Sequence, residues 1–206
     1  MRTVLVTGGT VRIGAAISER LVRDGWRVVT SSHRRDAGAD VVADLSREGG
    51  ADALFSAAKA FLGGEAPDAI VNNAALFDGP DDVVATLNYA SPARLVELLA
   101  LESQPRQVVN ILDARVLSGE PATPYERSKA RLLEDTRGAA RRFAGRVRVN
   151  AVAPGPALAS PLVREKAGPT PFGRPTPGAV ADAVAFLLSA PYTSGCIIPV
   201  DGGRFA

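Results

Sequence analysis

The sequence has 206 residues, of which 46% are hydrophobic, 22% charged and 5% aromatic, a composition that points to one soluble globular domain. Its 24 basic and 22 acidic residues leave a net charge of +2, and they alternate along stretches such as residues 127–142 (RSKARLLEDTRGAARR); these are solvated helix faces, not a phosphate-tracking stripe, so no nucleic-acid partner is expected. One cysteine (Cys196) excludes an internal disulfide, one histidine (His33) argues against a metal site, no apolar run approaches a membrane span, and the strand-like start leaves no room for a cleavable leader; a cytoplasmic location is expected.

In chain order, strands are predicted at residues 3–7 (TVLVT), 26–32 (WRVVTSS), 40–43 (DVVA), 68–73 (DAIVNN), 107–112 (QVVNIL), 147–153 (VRVNAVA) and 196–200 (CIIPV). Between them, helical spacing is predicted near 12–24, 51–62, 91–103, 124–143 and 178–189. The strands are continuous Val/Ile/Leu runs, as expected when both faces of a parallel sheet are covered by helices. This predicts an α/β fold in one domain, 1–206, with about seven mostly parallel strands doubly wound by helices on both faces. Residues 155–177, dense in proline and glycine, read as a mobile loop over a site at the carboxyl ends of the strands.

The first strand breaks into TGGTVRIG, residues 7–14, before the first helix. Gly8 and Gly14, lacking Cβ, let the backbone approach a bound group and pack a helix closely on a strand. The free amides and partial positive charge of the following helix suit a pyrophosphate.

The spacing is T-G-x-x-x-x-I-G, which resembles the short-chain dehydrogenase/reductase family, a Rossmann-type fold. Further matches follow in that family's order: Asp44 and Leu45 in ADLS, Asn72 to Ala75 in NNAA, then Asn88, YERSK, NAVAPGPA and SGCIIPVDGG. The resemblance implies a coenzyme held by Gly8, Arg12, Ile13, Gly14, Asp44, Leu45, Asn73, Ala74, Ala75, Pro154 and Gly155, with Asp44 and Leu45 at the adenine. The family commonly has glycine where Arg12 stands; arginine there resembles its NADP-dependent branches, including the pteridine reductases. An NAD-preferring site of this type places a carboxylate at the end of the second strand, whereas this strand ends in Ser32, His33 and Arg34. Guanidinium groups fork onto phosphate, so Arg12 and Arg34 suit the 2′-phosphate of NADP(H), with hydrogen bonds from Ser32 and His33.

Tyr125 and Lys129 stand four apart at the start of a predicted helix and share one face. A nearby ammonium would lower the tyrosine pKa, making Tyr125 a proton donor or acceptor. By resemblance, Lys129 also holds the nicotinamide ribose and Asn88 supports a water relay to it. Where the family usually has serine after the fifth strand, this chain has Asp113, as the pteridine reductases do. Asp113 can orient Tyr125 or pass a proton to a ring nitrogen; a turn-capping aspartate is the simpler alternative. Phe77 lies where that branch sandwiches a pterin against the nicotinamide, and Arg12 is placed to meet both coenzyme phosphates and a pterin carbonyl edge. The catalytic set is therefore Asn88, Asp113, Tyr125 and Lys129, and the substrate set Arg12, Phe77, Asp113 and Tyr125.

These readings imply an NADPH-dependent oxidoreductase delivering hydride to a C=N or C=O of a small planar substrate, such as a pterin. A general carbonyl or 3-oxoacyl reductase and a non-catalytic NADP-binding regulator are the alternatives. The helix at 91–103 is apolar on most sides (Leu95, Val96, Leu98, Leu99, Leu101), which predicts a homo-oligomer, a tetramer or dimer.

Overall fold

The computed structural model describes residues 1–118, 121–156 and 172–205. Seven strands form one sheet: β1 (Thr3–Thr7), β2 (Arg27–Ser32), β3 (Val41–Val42), β4 (Ala69–Asn72), β5 (Arg106–Ile111), β6 (Val147–Pro154) and β7 (Ile197–Val200). Their order is β3-β2-β1-β4-β5-β6-β7 and every pairing is parallel. The chain order reverses between β1 and β4, opening a crevice at the strands' carboxyl ends, the place where open α/β sheets bind ligands.

The helices are α1 (Arg12–Arg23), α2 (Gly50–Phe61), α3 (Asp81–Ala85), α4 (Ser91–Ala100), α5 (Pro124–Arg142) and α6 (Pro177–Ser189). Alternation along each strand sends side chains to two separate cores. Leu5, Val29, Ile70, Val108 and Val149 meet Leu54 and Phe55 of α2 and Leu95 and Leu99 of α4. Val4, Val6, Val71, Val109 and Val152 meet Ile17 and Leu21 of α1 and Val180, Val184 and Leu187 of α6. Both faces of the sheet are thus dry, which is why its strands carry no polar alternation.

Three expectations change. The third strand shrinks to Val41 and Val42, which pair with Ser31 and Ser32. A helix absent from the reading, α3, runs into a π-helical turn at Thr86–Ala90 and then into α4. The apolar surplus of the 91–103 helix mostly disappears: Leu95, Val96 and Leu99 are buried, Leu98 packs against the core, and only Leu101 stays widely exposed, at 74%. Most of the loop read at 155–177 lies outside the described residues. Among the described residues no helix is long and apolar enough to cross a membrane.

Candidate active site

The glycine turn is held by a polar lock from β4. Thr7 Oγ1 accepts the backbone N–H groups of Asn73 and Ala74, both at 2.9 Å, and Asn73 Nδ2 donates to the carbonyls of Thr7 and Gly8 at 2.9 and 3.2 Å. Gly14 is required by packing: a Cβ there would sit 2.0 Å from the Gly8 carbonyl oxygen. The α1 N-terminus has Val11 as its cap, with no side-chain hydrogen bond and no acid in the first turn. Its leading amides therefore have no side-chain acceptor, and the end of the helix carries uncancelled positive character. This is a fit for a pyrophosphate. Arg12 opens the helix with φ +55°, the only non-glycine residue in the left-handed region among the described residues. That conformation suits glycine better than any side chain and marks a strained site.

Ser32, His33 and Arg34 lie at the carboxyl end of β2, where Ser32 Oγ accepts the Arg34 N–H at 3.0 Å. Asp44 holds its own turn, accepting from Ser46 N and Oγ at 3.0 and 2.6 Å, and these bonds keep its carboxyl below the usual range. Leu45 is buried and its carbonyl accepts from Ser91 Oγ at 2.7 Å, tying this loop to α4. Pro154 ends β6; Gly155 follows, and a Cβ there would meet Asp201 Cα at 2.9 Å.

At the end of β5, Asp113 takes two roles with two oxygens. Oδ1 accepts the Arg115 backbone N–H at 2.9 Å, capping the 3-10 turn Ala114–Leu117, while Oδ2 accepts the Tyr125 hydroxyl at 3.3 Å. The capping aspartate and the tyrosine's partner are one residue. Tyr125 is placed by α5, which starts with a capping box: Thr123 Oγ1 accepts from Glu126 N at 3.1 Å, and Glu126 Oε2 accepts from Thr123 N at 3.1 Å. Phe77 lies against the Tyr125 ring, centroids 4.7 Å apart and planes tilted by 39°.

Two residues escaped the sequence reading. Arg115 forks onto Asp113, reaches Glu126 Oε1 at 3.3 Å, and lies 5.5 Å from the centres of both the Phe77 and Tyr125 rings. An arginine two positions after an aspartate carries no recognisable signal. Glu126 does carry one, the T-x-x-E of its capping box.

The expected lowering of the Tyr125 pKa is not what this arrangement produces. Lys129 is fully buried, and its Nζ donates to the Ile111 carbonyl at 2.7 Å, 5.8 Å from the centre of the tyrosine ring. Burial, then the charge of Asp113, push the tyrosine hydroxyl upward, with Arg115 opposing. Burial lowers Lys129 to about 8. Asn88 makes its direct hydrogen bonds to other partners. Its amide exchanges two 2.8 Å bonds with the Leu76 backbone and donates to Ser128 Oγ at 3.1 Å, bracing the Phe77 loop against α5 from the π-helical turn.

Residues 10–204 match the family model described as enoyl-(acyl carrier protein) reductase. The chain belongs to the short-chain dehydrogenase/reductase family. It is 32% identical to 3beta-hydroxysteroid dehydrogenase 1 of Eggerthella lenta, over 98% of this chain and 93% of that one. The FolM alternative dihydrofolate reductase 1 of Brucella canis, complexed with NADP, superposes with a TM-score of 0.87 at 30% identity, covering 99% of this chain and 94% of that one. The 3-alpha-hydroxysteroid dehydrogenase of Pseudomonas sp. B-0831, complexed with NADH, superposes with a TM-score of 0.83 at 27% identity, covering 98% of this chain and 96% of that one. This short-chain dehydrogenase/reductase is therefore an oxidoreductase acting on a small molecule, with a site built for a nicotinamide coenzyme.

Proposed function

We propose that the chain is an NADPH-dependent reductase of a C=N or C=O bond in a small planar substrate, with a pterin ring of the kind dihydrofolate carries as the leading candidate. The observation that carries this reading is Asp113 Oδ2 at 3.3 Å from the Tyr125 hydroxyl, with the half-exposed ring of Phe77 against the tyrosine ring. A carboxylate beside the proton donor suits a ring nitrogen, and an aromatic face suits a flat heterocycle. Likeness to the NADP-bound dihydrofolate reductase FolM adds support.

In this reading the α1 N-terminus and the Asn73–Ala75 turn hold the coenzyme pyrophosphate and nicotinamide side, and Arg12, Ser32, His33 and Arg34 hold the 2′-phosphate. NADPH, when bound, supplies the hydride. Tyr125 gives its hydroxyl proton to the substrate atom next to the reduced carbon. Asp113 orients that hydroxyl and sets its negative charge beside a ring nitrogen. Asn88, through Ser128 and Leu76, keeps Phe77 and Tyr125 in register. Lys129, buried beneath, restores the proton and binds the nicotinamide ribose.

The test is coenzyme oxidation, with NADPH and NADH compared, against a panel of dihydropterins, quinones and ketones, with Tyr125→Phe as control. Turnover of a dihydropterin with NADPH, lost by orders of magnitude in Tyr125→Phe, is the expected result. Preference for NADH, or activity on ketones alone, overturns it. The hydroxysteroid dehydrogenase relatives favour that second reading, a carbonyl reductase; a protein without Tyr125-dependent turnover on any substrate would be a coenzyme-binding regulator. We place the enzyme in the cytoplasm as a dimer or tetramer, which light scattering at micromolar concentration tests.

A further inference from the structure

The amino-terminal ends of the strands, opposite the glycine turn, surround an open pocket of about 600 Å³ lined by Arg2, Asp68, Arg106, Arg146, Arg148 and Tyr192 among others. Its single carboxylate is already engaged: Asp68 accepts from Thr3 N at 2.7 Å, Thr3 Oγ1 at 3.1 Å and Arg106 Nη1 at 2.5 Å. Among the described residues, Arg2, Arg146 and Arg148 have no carboxylate within ion-pair distance. Four arginines and one aspartate concentrate more positive charge here than the +2 of the whole chain.

One of these cations is withdrawn from water and a second is partly so. The Arg106 side chain is only 10% exposed, and its Nε has neither solvent nor a partner. Arg148 meets neutral acceptors alone, the Ala190 and Thr193 carbonyls at 2.7 and 2.9 Å and the Gln107 side chain; desolvation lowers its pKa. These bonds make Arg148 a wall, tying the loop that carries Tyr192 to β6. Arg2, stacked on Trp26, and Arg146, with one bond to the Ala100 carbonyl at 3.2 Å, are both exposed and keep free donors. A desolvated positive charge facing only dipoles is unfavourable, and an anion in the pocket would offset it.

We propose that this pocket binds a small polyanion carrying phosphate or clustered carboxylate groups, at a site separate from the coenzyme crevice. Guanidinium forks match both groups in geometry and charge.

Calorimetric titration of the enzyme, its coenzyme crevice filled with NADPH or NADH, tests this with two probes, inorganic pyrophosphate and citrate. Saturable binding of one equivalent is expected; the tighter probe distinguishes a phosphate from a carboxylate ligand. The double variant Arg2→Gln/Arg146→Gln should weaken it by about tenfold or more, with melting temperature and coenzyme affinity unchanged. Arg146→Gln alone, at an exposed position, serves as the second variant if the double one is unstable, and should give a smaller loss in the same direction. No saturable binding to the wild type, or equal affinity in the variants, overturns the proposal.

Discussion

Arg115 grips both oxygens of Asp113, Nε at 3.0 Å from Oδ1 and Nη2 at 2.8 Å from Oδ2, while the Tyr125 hydroxyl shares Oδ2 at 3.3 Å. The carboxylate that raises the tyrosine pKa is thus paired with the cation that lowers it. A serine in place of Asp113 would leave this guanidinium without its main partner, so aspartate and arginine form one unit.

Replacing Arg115 with methionine keeps the side chain's bulk and removes its charge. The Tyr125 pKa should rise further, because the opposing positive charge is gone and the Asp113 charge is unbalanced. Turnover should fall about tenfold or more, and the alkaline rise of the reverse, alcohol-oxidising reaction should move to higher pH. Arg115→Lys, which restores charge without the fork, should recover part of the shift. Rate–pH profiles of the three proteins check this; superimposable profiles would show that Arg115 only props the turn.

Asp113→Ser keeps a capping oxygen but removes the carboxylate that pairs with Arg115 and accepts from Tyr125. Stability should drop by about 1 kcal/mol through loss of those charge-assisted bonds, visible in denaturant unfolding. Turnover of C=N substrates should fall far more than turnover of ketones, because a neutral hydroxyl suits a developing alkoxide. Coenzyme affinity should hardly change. Equal losses on every substrate would leave Asp113 with its structural role alone.

Lys129 is a charge held in the core at the expense of stability. Its pKa falls from 10.5 in the unfolded chain to about 8 in the fold, with burial the main cause. Between these values the unfolded chain binds more protons, so this residue makes stability rise with pH from about 8 to 10. Lys129→Met should flatten that rise, and at pH 7 should stabilise the protein by roughly 1–3 kcal/mol while abolishing most turnover. Urea unfolding at pH 7 and pH 9 measures both effects; a destabilised variant would mean that the bond to the Ile111 carbonyl outweighs the burial of charge.

Arg12→Gly should separate stability from binding. Relief of the left-handed backbone should stabilise the fold by about 1 kcal/mol, whereas loss of the guanidinium should weaken NADPH about tenfold and NADH much less. Thermal melts and coenzyme titrations read the two effects; equal weakening of both coenzymes would remove Arg12 from the 2′-phosphate.

Much of the frame was legible in the chain. Dry Val/Ile/Leu runs alternating with amphipathic spacing point to a parallel sheet covered on both faces, because strands buried on both sides carry no polar alternation and the intervening helices supply the crossovers. TGGTVRIG specified a tight turn into a helix because only glycine tolerates the approach of the Gly8 carbonyl to residue 14. Tyr125 and Lys129 were legible as a pair because helical geometry puts i and i+4 on one face. Residues 81–90 were not: α3 spans five residues, and a π-helical turn breaks the 3.6-residue period. The 91–103 pattern named apolar positions but not their fate; contact with the sheet decided that Leu99 is buried and Leu101 exposed.

The electrostatics of the site belonged to tertiary structure throughout. Side-chain chemistry made Lys129 a cation near Tyr125, yet its pull on the phenol depends on where Nζ points, and the Ile111 carbonyl at the end of β5 decides that. Arg115 joins Asp113, Glu126, Phe77 and Tyr125 only because β5, the β4 loop and α5 converge at the sheet's carboxyl edge. Local spacing determines which residues share a strand or a helix face; pKa values and ion pairs depend on distance and burial across elements far apart in the chain, and those exist only once the fold is made.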